Sequence, residues 1–203
     1  MKCLILQRRT LTVLACALLA AAMFALVNAP AVAEASATDR PLPISCVQRD
    51  QKMLAISFDA AWGNEDTQQL IDILGKYNVK ATFFVVGDWV DKYPESVKAL
   101  HDAGHEVMNH SNSHAHMSQL SSEAIVADVE ACNDKFEAVT GVRPTLIRPP
   151  YGEYDNNVIT SIRSIGMEPI QWDVDSLDWK DLPAGEITER VVSRVQPGSI
   201  VLF

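Results

Sequence analysis

The sequence predicts an α/β fold on a parallel sheet, open or closed into a barrel. Three observations predict it. From residue 52 onward, strand-like and helix-like runs alternate, the pattern of βα units. The helix-like runs carry apolar residues at helical spacing and are closed by glycines. Polar clusters follow directly after several strands, where parallel α/β sheets and barrels build their sites.

The elements follow in order. Met53–Phe58 is an apolar, strand-like run ending at Asp59. Glu65–Lys76 carries Leu70, Ile71 and Leu74 at helical spacing, with Asn64 as its N-cap. Ala81–Val86 is a short β-rich run. Pro94–Ala103 is helical, with Pro in its first turn and Gly104 just past its end. Glu106–Asn109 is the third strand. Ser121–Val139 is a long amphipathic helix with Ile125, Val129, Cys132, Phe136 and Val139 on one face, closed by Gly141. Thr145–Arg148 is the fourth strand, Asn156–Ile165 a helix stopped by Gly166, and Glu168–Val174 the fifth strand. Ala184–Val195 is the last helix and Ser199–Phe203 the sixth strand. The chain stops inside that strand, so the fold is expected to be incomplete at the C-terminus.

Two segments precede the alternating region. Residues 1–33 hold Lys2, Arg8 and Arg9, then the apolar run Leu11–Val27 and the small residues Ala31-Val32-Ala33. This is the layout of a signal peptide, with an N-terminal membrane anchor as the alternative. An exported protein, extracellular or associated with the cell wall, is expected. Residues 34–50, rich in Ala, Ser, Thr and Pro without periodicity, read as a linker to the domain at 51–203. Removing the three positive charges of the leader takes the net charge from −9 to −12. So acidic a domain has no electrostatic reason to bind nucleic acid or an anionic membrane. Cys46 and Cys132 remain beyond the leader. They could pair in an oxidising compartment, but two cysteines make no disulfide framework, and Cys132 reads as a small core residue.

The polar clusters carry the chemistry. His110 and His114, in "NHSNSHAHM", are four apart. A helical turn would project both imidazoles to one side, where they share a metal. His116 is less favourably spaced, and His101 and His105 read as structural. In "RPPYG", two prolines and a glycine stiffen the loop that holds Arg148 and the Tyr151 backbone N–H, as an oxyanion donor requires. "DVDSLDW" supplies Asp173, Asp175 and Asp178 beside Trp179, and an aromatic among carboxylates suits the apolar face and polar rim of a sugar.

In this order, "SFD", "ATFFVVG", "HSNSH", "RPPYG" and "DSLDW" resemble the polysaccharide deacetylase family with the NodB homology domain, carbohydrate esterase family 4, over residues 52–203. The resemblance implies a distorted (β/α) barrel of parallel strands and a divalent metal, zinc first. It implies removal of N-acetyl groups from N-acetylglucosamine units of peptidoglycan or a chitin-like polymer. By motif, Asp59 matches the general base, and His110 and His114 match metal ligands. Arg148 matches the residue that orients the base, and the Tyr151 N–H the oxyanion donor. Asp178 matches the partner of a catalytic histidine, and Trp179 and Tyr151 line the sugar groove.

Two departures stand out. The first motif of the family reads Thr-Phe-Asp-Asp-Gly, its second Asp ligating the metal, and here that position is Ala60. Ala60 followed by Trp62-Gly63 resembles a sporulation-associated deacetylase-like variant. The histidine that acts as general acid in the family is expected immediately after Phe203. Ala60 points to an alternative, a catalytically reduced glycan-binding relative in envelope or spore assembly. A deacylase of small amides is the other alternative.

Overall fold

The computed structural model describes residues 40–203, together with residues 13, 17–20 and 23. Most of the expected leader and the first part of the expected linker lie outside the described residues. Among the described residues, no helix is long and apolar enough to cross a membrane.

Seven strands form one parallel sheet: β1 (Ala55–Ala60), β2 (Thr82–Val85), β3 (Glu106–Asn109), β4 (Leu146–Ile147), β5 (Glu168–Pro169), β6 (Val174–Asp175) and β7 (Ile200–Leu202). Their order is β5-β4-β3-β2-β1-β7-β6. Six α-helices connect them: α1 (Thr67–Lys76), α2 (Gly87–Lys92), α3 (Pro94–Asp102), α4 (Ser122–Thr140), α5 (Asn156–Ser164) and α6 (Ala184–Val192).

The expected fifth strand is two. Residues 168–170 follow β4, Ile170 N–H donating to the Ile147 carbonyl at 2.8 Å. Three residues later the chain has changed partner, and Asp173 N–H donates to the Ile200 carbonyl. The run therefore touches both edges of the sheet, with β5 on one and β6 on the other. The Asp173 carboxylate fixes the second docking, accepting from Ser199 Oγ and from Ile200 N–H, both at 2.8 Å. The result is a distorted, open (β/α) barrel whose two edges are joined by a connecting segment instead of a strand ladder. Ile44 and Cys46, within the stretch read as a linker, form isolated bridges to Ile170 and Ser199 beside that gap.

The helices follow their caps. Ser121 Oγ accepts from Ala124 N–H at the start of α4, and Gly141 ends it in the left-handed conformation (φ 74°). Asp155 caps α5 through Val158 N–H. At α1 the expected cap is displaced. Asp66 is the capping residue, without a side-chain bond, while Asn64 Nδ2 reaches Ser96 Oγ instead.

The outer core lies between sheet and helices. Phe83, Val85 and Val107 meet Leu74, Trp89, Val97, Leu100 and the α4 residues Cys132 and Phe136. Cys132 is fully buried, and burial pushes its thiol up to about 12. Cys46 is exposed, and the two do not pair. The inner row runs through the register Asp59↔Phe84 and Phe84↔Met108. It places Phe84, Ile170 and Ile200 at the centre, with the site on top of them.

Candidate functional site

Asp59 leaves the end of β1 and meets Arg148, which leaves β4. Arg148 is wholly buried. Its Nη1 donates to Asp59 Oδ1 at 2.7 Å, and its Nη2 donates to Ser57 Oγ at 2.8 Å. The guanidinium lies 4.2 Å from the centre of the Phe84 ring and 5.4 Å from that of Trp172. A buried cation needs such a set: a counter-charge, hydrogen-bond acceptors and aromatic faces. Burial lowers the Arg148 pKa and the Asp59 carboxylate opposes that shift. Ser57 passes the chain of bonds on, donating to the Val201 carbonyl at 2.7 Å.

Arg148 also orients His110, because its backbone carbonyl accepts from His110 Nδ1 at 2.7 Å. With a proton on Nδ1, the other ring nitrogen, Nε2, faces Asp59 Oδ2 at 3.6 Å. His114 joins this group from a loop, not from a helical turn as its spacing suggested. Ser111 and His114 both adopt positive φ (68° and 56°). The two imidazoles meet edge to face with centroids 5.0 Å apart. Burial, with repulsion from His110, pushes the His114 pKa down to about 4, so the ring is uncharged at neutral pH. Its Nδ1 is buried without a hydrogen-bond partner.

The histidine loop is clamped from below. Asn109 Oδ1 accepts from Ser111 N–H at 2.7 Å, and Asn109 Nδ2 donates to the Val129 carbonyl and to Asn133 Oδ1 on α4. Asp128, also on α4, accepts from Asn112 N–H at 2.8 Å and from Ser113 Oγ at 3.3 Å. The loop packs directly on Gly87, where an added Cβ would stand 3.0 Å from Asn112 Cα. Sequence reasoning missed Asp128, Asn133 and Gly87.

The Pro149-Pro150-Tyr151-Gly152 turn forms the next wall. Tyr151 is held at φ 60°, and Gly152 at φ 66° lies against Trp172, where a side chain would meet the indole. The Tyr151 ring is edge-on to His114 (4.6 Å) and stacked on His116 (4.2 Å, 11°). His116 pairs with Glu153 at 3.1 Å, which removes it as a substitute for either histidine of the pair. His105, as expected, is structural: its Nδ1 accepts from Ala81 N–H.

Asp178 and Trp179 make other contacts. Asp178 Oδ1 accepts from Ser176 Oγ and from Trp179 N–H, both at 2.9 Å, so the carboxylate caps its own turn. Trp179 is exposed, with Lys180 Nζ over its ring at 4.7 Å. Asp175 accepts from Leu177 N–H.

The donor set falls short of a three-ligand metal centre. His110 and His114 are together, but Asp59 is engaged by Arg148 and the next residue is Ala60. Glu65, the nearest alternative in the chain, bonds to Asn64 N–H instead. Among the described residues, no group of three His, Cys, Asp or Glu side chains is arranged to hold a metal ion. Catalytic zinc takes three protein ligands and a water, and this set does not fit it.

Residues 47–170 match the polysaccharide deacetylase family. The chain is 34% identical over 164 residues to the uncharacterized protein YlxY of Bacillus subtilis, covering 81% of this chain and 51% of that protein. It is 37% identical over 157 residues to the peptidoglycan-N-acetylmuramic acid deacetylase PdaC of the same organism, covering 77% of this chain and 33% of that protein. The chain therefore spans about half or less of these curated relatives. Among solved structures, wild-type BA3943 of Bacillus anthracis, a CE4 family pseudoenzyme, superposes with a TM-score of 0.78 at 36% identity, covering 80% of this chain and 58% of that chain. A BA3943 mutant with restored enzymatic activity superposes with the same TM-score at 37% identity, covering 80% of this chain and 60% of that chain.

Proposed function

This chain belongs to the polysaccharide deacetylase family, and from that premise we propose that it is a catalytically reduced member that recognises N-acetylated cell-wall glycan. The missing third metal ligand carries this reading. Two imidazoles without an anionic partner hold a divalent ion weakly, and the position after Asp59 is Ala60. The likeness to a pseudoenzyme supports it. PdaC, whose substrate is peptidoglycan, supports a wall polysaccharide as the ligand. Two exposed aromatics, Trp179 and Tyr151, suit a polymer better than a small amide.

In this reading the domain at 51–203 is exported by the 1–33 segment and works at the cell wall. Asp59 and Arg148 present a fixed polar floor to the acetamide. The Tyr151 N–H faces its carbonyl, and Tyr151 and Trp179 flank the sugar. Asp178 keeps the place of a histidine partner.

A second reading, an active zinc-dependent deacetylase, is favoured by the unpartnered His114 Nδ1 and the orientation of His110. Zinc content and acetate release separate the two. Wild-type protein, equilibrated with zinc and dialysed, is expected to retain far less than one ion and to release no acetate from chitohexaose or peptidoglycan. Ala60→Asp supplies the absent carboxylate and should tighten zinc binding by about tenfold or more. Stoichiometric zinc with acetate release in the wild type overturns the reduced reading.

A further inference from the structure

Trp62, in the loop after β1, is 83% exposed, while the neighbouring Trp89 is 3% exposed. An indole is the largest apolar surface a side chain offers, and leaving it in water gives up the stabilisation of burying it. Looseness of the turn does not explain the exposure. Trp89 Nε1–H donates to the Gly63 carbonyl, Asn64 Nδ2 donates to Ser96 Oγ at 3.0 Å, and Gly63 adopts φ 54°. A buried tryptophan thus anchors the turn that presents an exposed one.

The Trp62 ring continues a line of rings. It stands edge-on to His114, centroids 6.0 Å apart. His114 stands edge-on to Tyr151, and Tyr151 is stacked on His116. The four rings run from the loop after β1, past the histidine pair, to the turn after β4. Trp179 differs, since Lys180 Nζ occupies one of its faces.

We infer that Trp62 is a sugar-stacking platform on the β1 flank of the site, so that a glycan strand crosses the mouth along the Trp62–His114–Tyr151 arc. A pyranose has a face of C–H groups and a rim of hydroxyls. It is complementary to an exposed indole beside polar side chains. The inference rests on the glycan-binding reading above and adds to it the direction of the strand and a contact from the loop after β1.

The test uses the full chain, titrated with chitohexaose and, separately, with peptide-free peptidoglycan strands. Trp62→Ala should weaken binding by about tenfold, and Trp62→Phe by no more than about threefold. The thermal midpoint should not move, because the side chain is on the surface. A loss seen with one glycan alone supports the platform and identifies the source it serves. Equal binding by Trp62→Ala and wild type overturns the platform while leaving the glycan reading intact. Wild-type protein that binds neither glycan removes both.

Discussion

Arg148 and Arg143 sit five positions apart and handle their charge in opposite ways. Arg143, beyond the end of α4, is partly exposed and faces three carboxylates, Asp134 at 2.8 Å, Glu137 at 3.0 Å, and Glu130. Those carboxylates raise its pKa, whereas burial lowers that of Arg148. Arg148 has one carboxylate, no exposed surface and a stacked aromatic. Counting ion pairs would rank Arg143 as the more important. The physics reverses the ranking, because water screens the surface cluster and would replace any partner lost. Nothing replaces Asp59 or Ser57 around a guanidinium sealed inside the barrel. The same burial that makes Arg148 costly to disturb holds Asp59 and His110 in fixed orientations.

Three substitutions can break or sharpen this contrast. Arg148→Ala, which leaves Asp59 without its partner and a void between Phe84 and Trp172, should cost about 3–5 kcal/mol in urea unfolding. Asp59→Asn keeps the shape but weakens a charge-assisted bond, and should cost about 1–3 kcal/mol. Arg143→Ala should cost no more than about 1 kcal/mol despite removing three ion pairs, and 1 M salt should erase the difference. A cost for Arg143→Ala as large as that for Arg148→Ala would abolish the distinction. An Asp59→Asn protein as stable as wild type would mean that Ser57 and the aromatic faces suffice for the buried cation.

Much of the fold was legible in the sequence. The α4 pattern, Ile125, Val129, Cys132 and Phe136 on one face and closed by Gly141, is found as read, with Ser121 as its cap and not its first residue. Asp59 at the end of an apolar strand also stands where its position suggested. The split of the fifth strand was not legible. The run Glu168–Val174 has a single local character and changes partner only because the curled sheet brings β4 and β7 within its reach. The helix Gly87–Lys92 was missed because it is short and polar at its start. The His110–His114 spacing was read as helical, but the loop reaches the same convergence through two residues at positive φ. Trp62 was read only as part of a motif.

By itself the sequence determined most of the strands and helices, the faces they bury, and which acids and imidazoles stand at strand ends. These follow from periodicity, capping and residue identity, all of which act over a few positions. That Ala60 stands where a metal carboxylate is expected follows from the resemblance to the family's first motif. Only the tertiary structure decided that Asp59 is bound by Arg148, 89 positions away, and that the helix residue Asp128 clamps the histidine loop. It alone decided that Trp62 faces solvent at the end of a line of rings. Those outcomes depend on which surfaces the folded chain excludes from water, a property no short stretch of sequence carries.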